Sequence, residues 1–120
     1  MSVPDSLLNL ALENADLGVW RLDLENDRDV LRSLRHDQMF GYESLQSEWG
    51  LAKALEHIIE EDRHILTSAF ERAKQDGHMA CEFRVRWPDG SIHWIAPEGR
   101  TDYENGVARY VTGIVRDVTA

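Results

Sequence analysis

Hydrophobic and polar positions along this chain follow two different periods, and the changes of period mark out its elements. From Ser6 to Asn14 apolar residues recur at helical spacing, with Leu7, Leu8, Ala11, Leu12 and Ala15 on one stripe. Asp16-Leu17-Gly18 breaks that stripe. The run 18–24 then alternates, Trp20, Leu22 and Leu24 against Arg21 and Asp23, which predicts a half-buried strand. A turn at 25–27 leads to a second strand over 29–33. Helical spacing resumes in pieces: about one turn over 35–40, closed by Gly41 as a left-handed cap, and a second helix over 47–59 that buries Leu51, Leu55 and Ile58. The acids Glu60, Glu61 and Asp62 suit a helix N-terminus. The helix they open runs to Gln75 and buries Ile65, Leu66, Ala69, Phe70 and Ala73. From Met79 onward the period is that of strands.

One stretch is marked more strongly than the rest. EFRVRWPDGSIHWIAPEGR, from Glu82 to Arg100, alternates, halts at Pro88-Asp89-Gly90-Ser91 and alternates again. Asp-Gly between two alternating runs predicts a hairpin with a two-residue type I′ loop. That register sets Trp87 against Ile92, Arg86 against His93, Val85 against Trp94 and Phe83 against Ala96. Phe83, Val85, Trp87, Ile92, Trp94 and Ala96 then form a core face, and Ile95 lies on the outer face with Glu82, Arg84, Arg86 and His93. Asn105-Gly106 predicts a second tight turn before a last strand from Val107 to Val118. The sum is an α+β domain: a five-stranded antiparallel sheet with short helices on one face and an N-terminal helix. The expected division is 1–15 for that helix and 16–120 for the domain.

Composition narrows the function. One domain of 120 residues, 42% hydrophobic and 29% charged, can bury a core without staples. Thirteen basic against 22 acidic residues give a net charge of −9, the wrong sign for a nucleic-acid backbone partner. The single cysteine, Cys81, excludes an internal disulfide, and its place in a strand predicts a buried spectator thiol. No run reaches a membrane span and no signal-peptide pattern opens the chain, so a cytoplasmic location without membrane insertion is expected. Ser, His and Asp are present without a nucleophile elbow, a phosphate loop or paired-acid spacing. The acidic group at 60–62 reads most simply as helix-end electrostatics.

Five segments together carry a resemblance: GVWRLDLEND from Gly18, MFGYESL from Met39, EEDR from Glu60, CEFRVRWPDGSIHWI from Cys81, and GIVRDVT from Gly113. The chain resembles a PAS domain of the kind that ends in a PAC motif, over nearly its whole length. The resemblance implies a sheet in the order two-one-five-four-three, a pocket between helices and sheet, and a non-enzymatic sensory role inside a larger bacterial signalling protein. A sensor histidine kinase comes first as that parent, a diguanylate cyclase or phosphodiesterase next. It implies a homodimer, an output domain in the same chain, and signal transmission through Asp117, Val118 and Thr119. The expected pocket residues are Met39, Phe40, Leu55, Ile65, Leu66, Phe70, Phe83 and Trp94. The expected dimer surface is Leu7, Leu8, Ala11, Leu12 and Ile95. The alternative is an interaction module with a filled core that only dimerises its parent.

No cofactor is expected, although an unidentified small molecule fits the reading. Flavin photoreceptors of the family carry a reactive cysteine on a helix, and here the helical region has none. Haem-binding relatives place a ligating histidine three residues after the arginine matching Arg63, where this chain has Leu66; His64 points elsewhere on the helix. His57, Glu60 or Glu61, and His64 would share a face only of one continuous helix, which the resemblance interrupts with a loop, so no metal site is expected.

Overall fold

The computed structural model describes residues 5–119. Its elements follow the predicted changes of period closely: α1 (Asp5–Asn14), β1 (Leu17–Asp23), β2 (Arg28–Arg32), α2 (Leu34–Met39), α3 (Leu51–His57), a 3-10 turn (Glu60–Asp62), α4 (Arg63–Asp76), β3 (His78–Ala80), β4 (Phe83–Arg86), β5 (Ile92–Glu104) and β6 (Val107–Asp117). The sheet runs β2-β1-β6-β5, with both β3 and β4 paired to β5. This is the implied order, with the expected third strand broken into two pieces at Cys81-Glu82. All pairings are antiparallel. Residues 1–4 of the expected N-terminal segment and Ala120 lie outside the described residues. No described helix is long and apolar enough to cross a membrane.

The two hairpin turns show how local chemistry sets register. Asn105 and Gly106 both have positive φ, 52° and 79°, as a two-residue type I′ loop requires, and Glu104 pairs with Val107 across them. The other hairpin corrects the expectation. Gly90 has positive φ but Asp89 does not, the Gly90 amide bonds the Trp87 carbonyl, and the Trp87 amide bonds the Ser91 carbonyl. The loop therefore has three residues, Pro88-Asp89-Gly90. Proline presets the second position of a type I turn, and glycine takes the left-handed position after it. Phe83 now pairs with Ile95, and Val85 with His93. A one-residue slip inverts faces: Ile95 is fully buried in the core, while Trp94 is 40% exposed and Ile92 is exposed beside it. Ile95 is thus no surface residue, and Trp94 is no pocket residue.

Behind the sheet, α4 lays Leu66, Ala69, Phe70 and Ala73 against Trp20, Leu22, Met79, Phe83, Val85, Ile95, Val111 and Val115. Trp20 crosses the sheet above Gly113, its partner on β6, and Gly99, which pairs with Gly113 on β5. Its indole Nε1 donates to the Ile114 carbonyl over 2.9 Å. A Cβ on Gly99 would meet both the Trp20 ring and the Thr112 carbonyl, and one on Gly113 would strike the Glu98 carbonyl. Bare backbone at Gly99 leaves room for the large ring, and bare backbone at Gly113 lets β6 lie close against β5.

The middle helix is shorter than its pattern suggests. Ser47–Gly50 lies outside any helix, and Ile58 leaves the helix to bridge Val85. Ala54, not Leu55, is its buried residue. On the far side, α1 leaves Leu7, Leu8 and Leu10 each more than half exposed, with Ala11 also exposed and Leu12 half-buried.

Candidate functional site

A cavity of about 40 Å³ lies between the sheet and the helices, where the resemblance implied a pocket. Its floor is Trp20, Leu22, Phe83, Ile95, Pro97 and Val115 of the sheet; its roof is Phe40, Trp49, Gly50, Leu51, Ala54, Leu66 and Phe70; Asp29 and His36 are the ionisable side chains in its wall. Of the expected pocket residues, the structure brings Phe40, Leu66, Phe70 and Phe83 to the cavity. Met39 is buried beside it, Leu55 packs on the core outside it, Ile65 is half-buried on the helix flank, and Trp94 faces away. Ile95, expected on the dimer surface, lines the cavity instead.

Trp49 anchors the roof, and its placement starts in the β1–β2 turn. Asp27 accepts hydrogen bonds from the Leu51 and Ala52 amides at 2.6 and 3.2 Å, satisfying two otherwise orphaned donors at the start of α3. The Asp29 amide holds the Trp49 carbonyl at 2.8 Å. A Cβ on Gly50 would collide with the Asp27 carbonyl. Gly50→Ala should therefore destabilise the domain by about 1–3 kcal/mol, read from the urea midpoint at unchanged m-value. Trp49 in turn packs among Phe40, His36, His57 and Tyr42, with ring centroids 4.9–5.9 Å apart. The Tyr42 hydroxyl lies 2.6 Å from His57 Nε2, while His57 Nδ1 lies 2.9 Å from the Lys53 carbonyl. Both His57 nitrogens are engaged, and His64 is exposed on α4.

Beneath this roof lies a buried polar network. Asp37, wholly inaccessible, accepts from Arg32 Nε at 2.7 Å and Nη2 at 3.1 Å, from His36 Nδ1 at 2.8 Å and from the Gln46 amide at 2.7 Å. Arg32 also donates to the Gln46 carbonyl at 2.6 Å. Burial opposes ionisation of Asp37, but the hydrogen bonds from His36, Arg32 and Gln46 outweigh it and hold its carboxyl down at about 2. Burial pushes His36 the other way, lowering its pKa against the pull of Asp37, so its ring is neutral with Nδ1 as the donor.

Asp29 stands apart from the other acids described. Burial raises its carboxyl to about 7; Arg32 pulls it down, while Asp37 and Asp27 push it further up. Asp29 is half-buried, and its carboxylate, which makes no hydrogen bond to a described residue, keeps partial access to water. A β-bulge puts it there: Arg21 pairs with Leu31 and Leu22 with Asp29, leaving Val30 as the extra residue. The inward positions of β2 therefore carry Asp29 and Arg32, while Val30 and Leu31 are exposed. Asp29, His36 and Trp49 were absent from the expected site. With three charged residues among the five of β2, nothing in its sequence marks Asp29 out as facing the cavity.

The far end of the sheet holds the expected transmission residues. Asp117 pairs with Ile95, and its Oδ1 accepts the Thr119 amide at 2.9 Å. The Val118 amide bonds the Trp94 carbonyl, and the Thr119 hydroxyl accepts the Trp94 amide, both at 2.9 Å. Val118 and Thr119 thus clasp the peptide groups of Trp94, whose neighbour Ile95 lines the cavity. Elsewhere, Asp62 receives the Arg84 amide and guanidinium at 2.7–2.9 Å, tying the start of α4 to β4 and lowering the Asp62 pKa. Cys81 is half-buried between β3 and β4, and burial pushes its thiol up to about 11, which makes it a poor nucleophile.

Comparison with known proteins agrees with this architecture. The family model described as the PAS fold matches residues 30–115. No curated protein matches the sequence. Among solved structures, a sensory box histidine kinase/response regulator from Burkholderia thailandensis is 25% identical, with 93% of this chain and 84% of that one covered at a TM-score of 0.78. The N-terminal domain of a diguanylate cyclase with PAS/PAC sensor from Marinobacter aquaeolei superposes at 0.74 with 12% identity, covering 86% of this chain and 95% of that one. A PAS domain from Colwellia psychrerythraea gives 0.70 with 22% identity, covering 95% and 96%. A sheet in the expected order, helices closing a cavity over one face, and a family match across most of the sequence lead to one assignment: this chain belongs to the PAS-fold family.

Proposed function

We propose that this chain is the sensory domain of a bacterial signal-transduction protein, a histidine kinase first and a diguanylate cyclase or phosphodiesterase next. In this reading it converts occupancy of the cavity into a change at the Asp117–Thr119 junction. One observation carries the proposal: Ile95 lines the cavity, and the adjacent residue Trp94 is clasped by Val118 and Thr119. A ligand that moves Ile95 moves the clasp one residue away. It shifts the output only so far as it binds two arrangements of that clasp unequally. The neighbouring kinase and cyclase structures support the attachment. The domain itself carries no catalytic role here, and its pocket is scaled to a ligand of a few atoms rather than to flavin or haem.

The second reading is a dimerisation module. The exposed Leu7, Leu8 and Leu10 favour it, as does a core that leaves so little room. Native mass spectrometry of the purified chain, repeated after denaturation, separates the two. The sensory reading expects a small non-covalent adduct that disappears on denaturation. It also expects Thr119→Val to increase hydrogen exchange at the Trp94 amide. A dimer without adduct, in which Thr119→Val leaves that exchange unchanged, would leave only the dimerisation module.

A further inference from the structure

We propose that the cavity binds a small organic cation, an amine of three or four non-hydrogen atoms, with Asp29 as its counter-ion and the surrounding aromatic rings as its walls. The inference rests on reading the cavity as a sensory pocket and adds the chemistry of what enters it.

Size comes first. One water needs roughly 10–15 Å³ of cavity, so about 40 Å³ admits three or four atoms of that size. Charge comes next. Asp29 is a half-buried carboxylate in the cavity wall that makes no hydrogen bond to a described residue, so its oxygens depend on the water that still reaches them, and a guest that displaces that water without replacing it carries a cost. The charged and titratable groups around it do not supply that partner. Arg32 attracts the Asp29 carboxylate through space but gives its hydrogen bonds to Asp37 and the Gln46 carbonyl. His36 gives its Nδ1 proton to Asp37 and is held neutral by burial. Asp27 and Asp37 add negative potential. The space beside Asp29 therefore favours a cation. An anion would be repelled, and a purely apolar guest would displace the water at the carboxylate and give it no partner in return.

The walls then select among cations. Trp20, Phe40, Trp49, Phe70 and Phe83 all line the cavity. Aromatic faces attract alkylammonium groups, more strongly once these are desolvated. A hard divalent ion needs six or more oxygen ligands, and this wall offers a single carboxylate. An alkylammonium with one N–H for Asp29 and methyl groups for the rings satisfies every surface at once.

The probe is trimethylammonium chloride, with propan-2-ol as the neutral analogue of the same number of non-hydrogen atoms and sodium chloride at matched ionic strength as control. So few atoms cannot bind tighter than tens of micromolar, so titrations run to about 50 mM. Trp20 and Trp49 report binding by fluorescence, and the thermal midpoint reports it independently. Trimethylammonium is expected to bind at least about tenfold more tightly than propan-2-ol at pH 8. Asp29→Asn should abolish that preference. Ala54→Leu, which fills the cavity while leaving Asp29 in place, should abolish binding itself. Equal or tighter binding of propan-2-ol overturns the cation and leaves the sensory pocket standing. Binding of neither probe overturns the cation proposal, while the adduct measurement decides the sensory pocket separately. Unchanged trimethylammonium affinity in either variant places the cation elsewhere and overturns the proposal.

Discussion

Asp37→Ala is expected to cost the domain about 3–5 kcal/mol, the range for removing one partner of a buried ion pair. That is a large share of the roughly 5–15 kcal/mol by which native proteins are typically stable. The reason is what remains behind. Asp37 accepts four hydrogen bonds from Arg32, His36 and the Gln46 amide, and Arg32 itself is nearly inaccessible. Without the carboxylate, the guanidinium stays buried with the Gln46 carbonyl as its one remaining described hydrogen-bond partner. The loop that carries Trp49 also loses its tether at Gln46. The pH dependence follows from the direction in which the pKa moves. Asp37 has a folded pKa near 2, below its ordinary value of 3.8. Its contribution is therefore present above about pH 4 and is lost as the pH falls through that interval. Urea denaturation of both proteins should show a gap that is constant from about pH 8 to pH 5 and narrows below about pH 4. A loss under about 1 kcal/mol at pH 7 would mean that water reaches Arg32 freely.

Asp29→Asn should do the opposite and stabilise the free protein at neutral pH. The folded pKa of Asp29 is raised to about 7, above 3.8. Ionisation thus opposes folding: the penalty is absent below about pH 4, grows between about pH 4 and 7, and is complete above that. Each tenfold change in proton affinity is worth about 1.4 kcal/mol, and with allowance for residual solvent the asparagine variant should gain about 2–4 kcal/mol at pH 8. The thermal midpoints of the two proteins should converge near pH 4. Midpoints that instead stay parallel across that range would show that the carboxylate is well solvated. A charge retained in the wall at such a cost is the pattern expected where stability is exchanged for binding.

These two acids also show why the site was only half legible. The aromatic and aliphatic lining from α2, α4 and β4 was found because Phe40, Leu66, Phe70 and Phe83 obey the helical or strand period of their own segment. Asp29 escaped because one bulged residue, Val30, changes which side chains of β2 face inward. Trp49 escaped because Gln46–Gly50 has no period at all; Asp27, Asp29 and Asp37 hold it from other segments.

The sequence alone determined the elements, the order of helices and strands, the Asn105-Gly106 turn and the membership of the fold family. Each depends on residues a few positions apart, whose spacing can be measured along the chain. Tertiary structure decided what points where. Pro88 turned a two-residue loop into a three-residue one, and that single step moved Ile95 into the cavity wall and Trp94 out to the junction with Thr119. A strand has a period of two, so a shift of one residue leaves its pattern equally regular while exchanging its faces. Only the packing of α4 and the Trp49 loop against one of those faces selects between them.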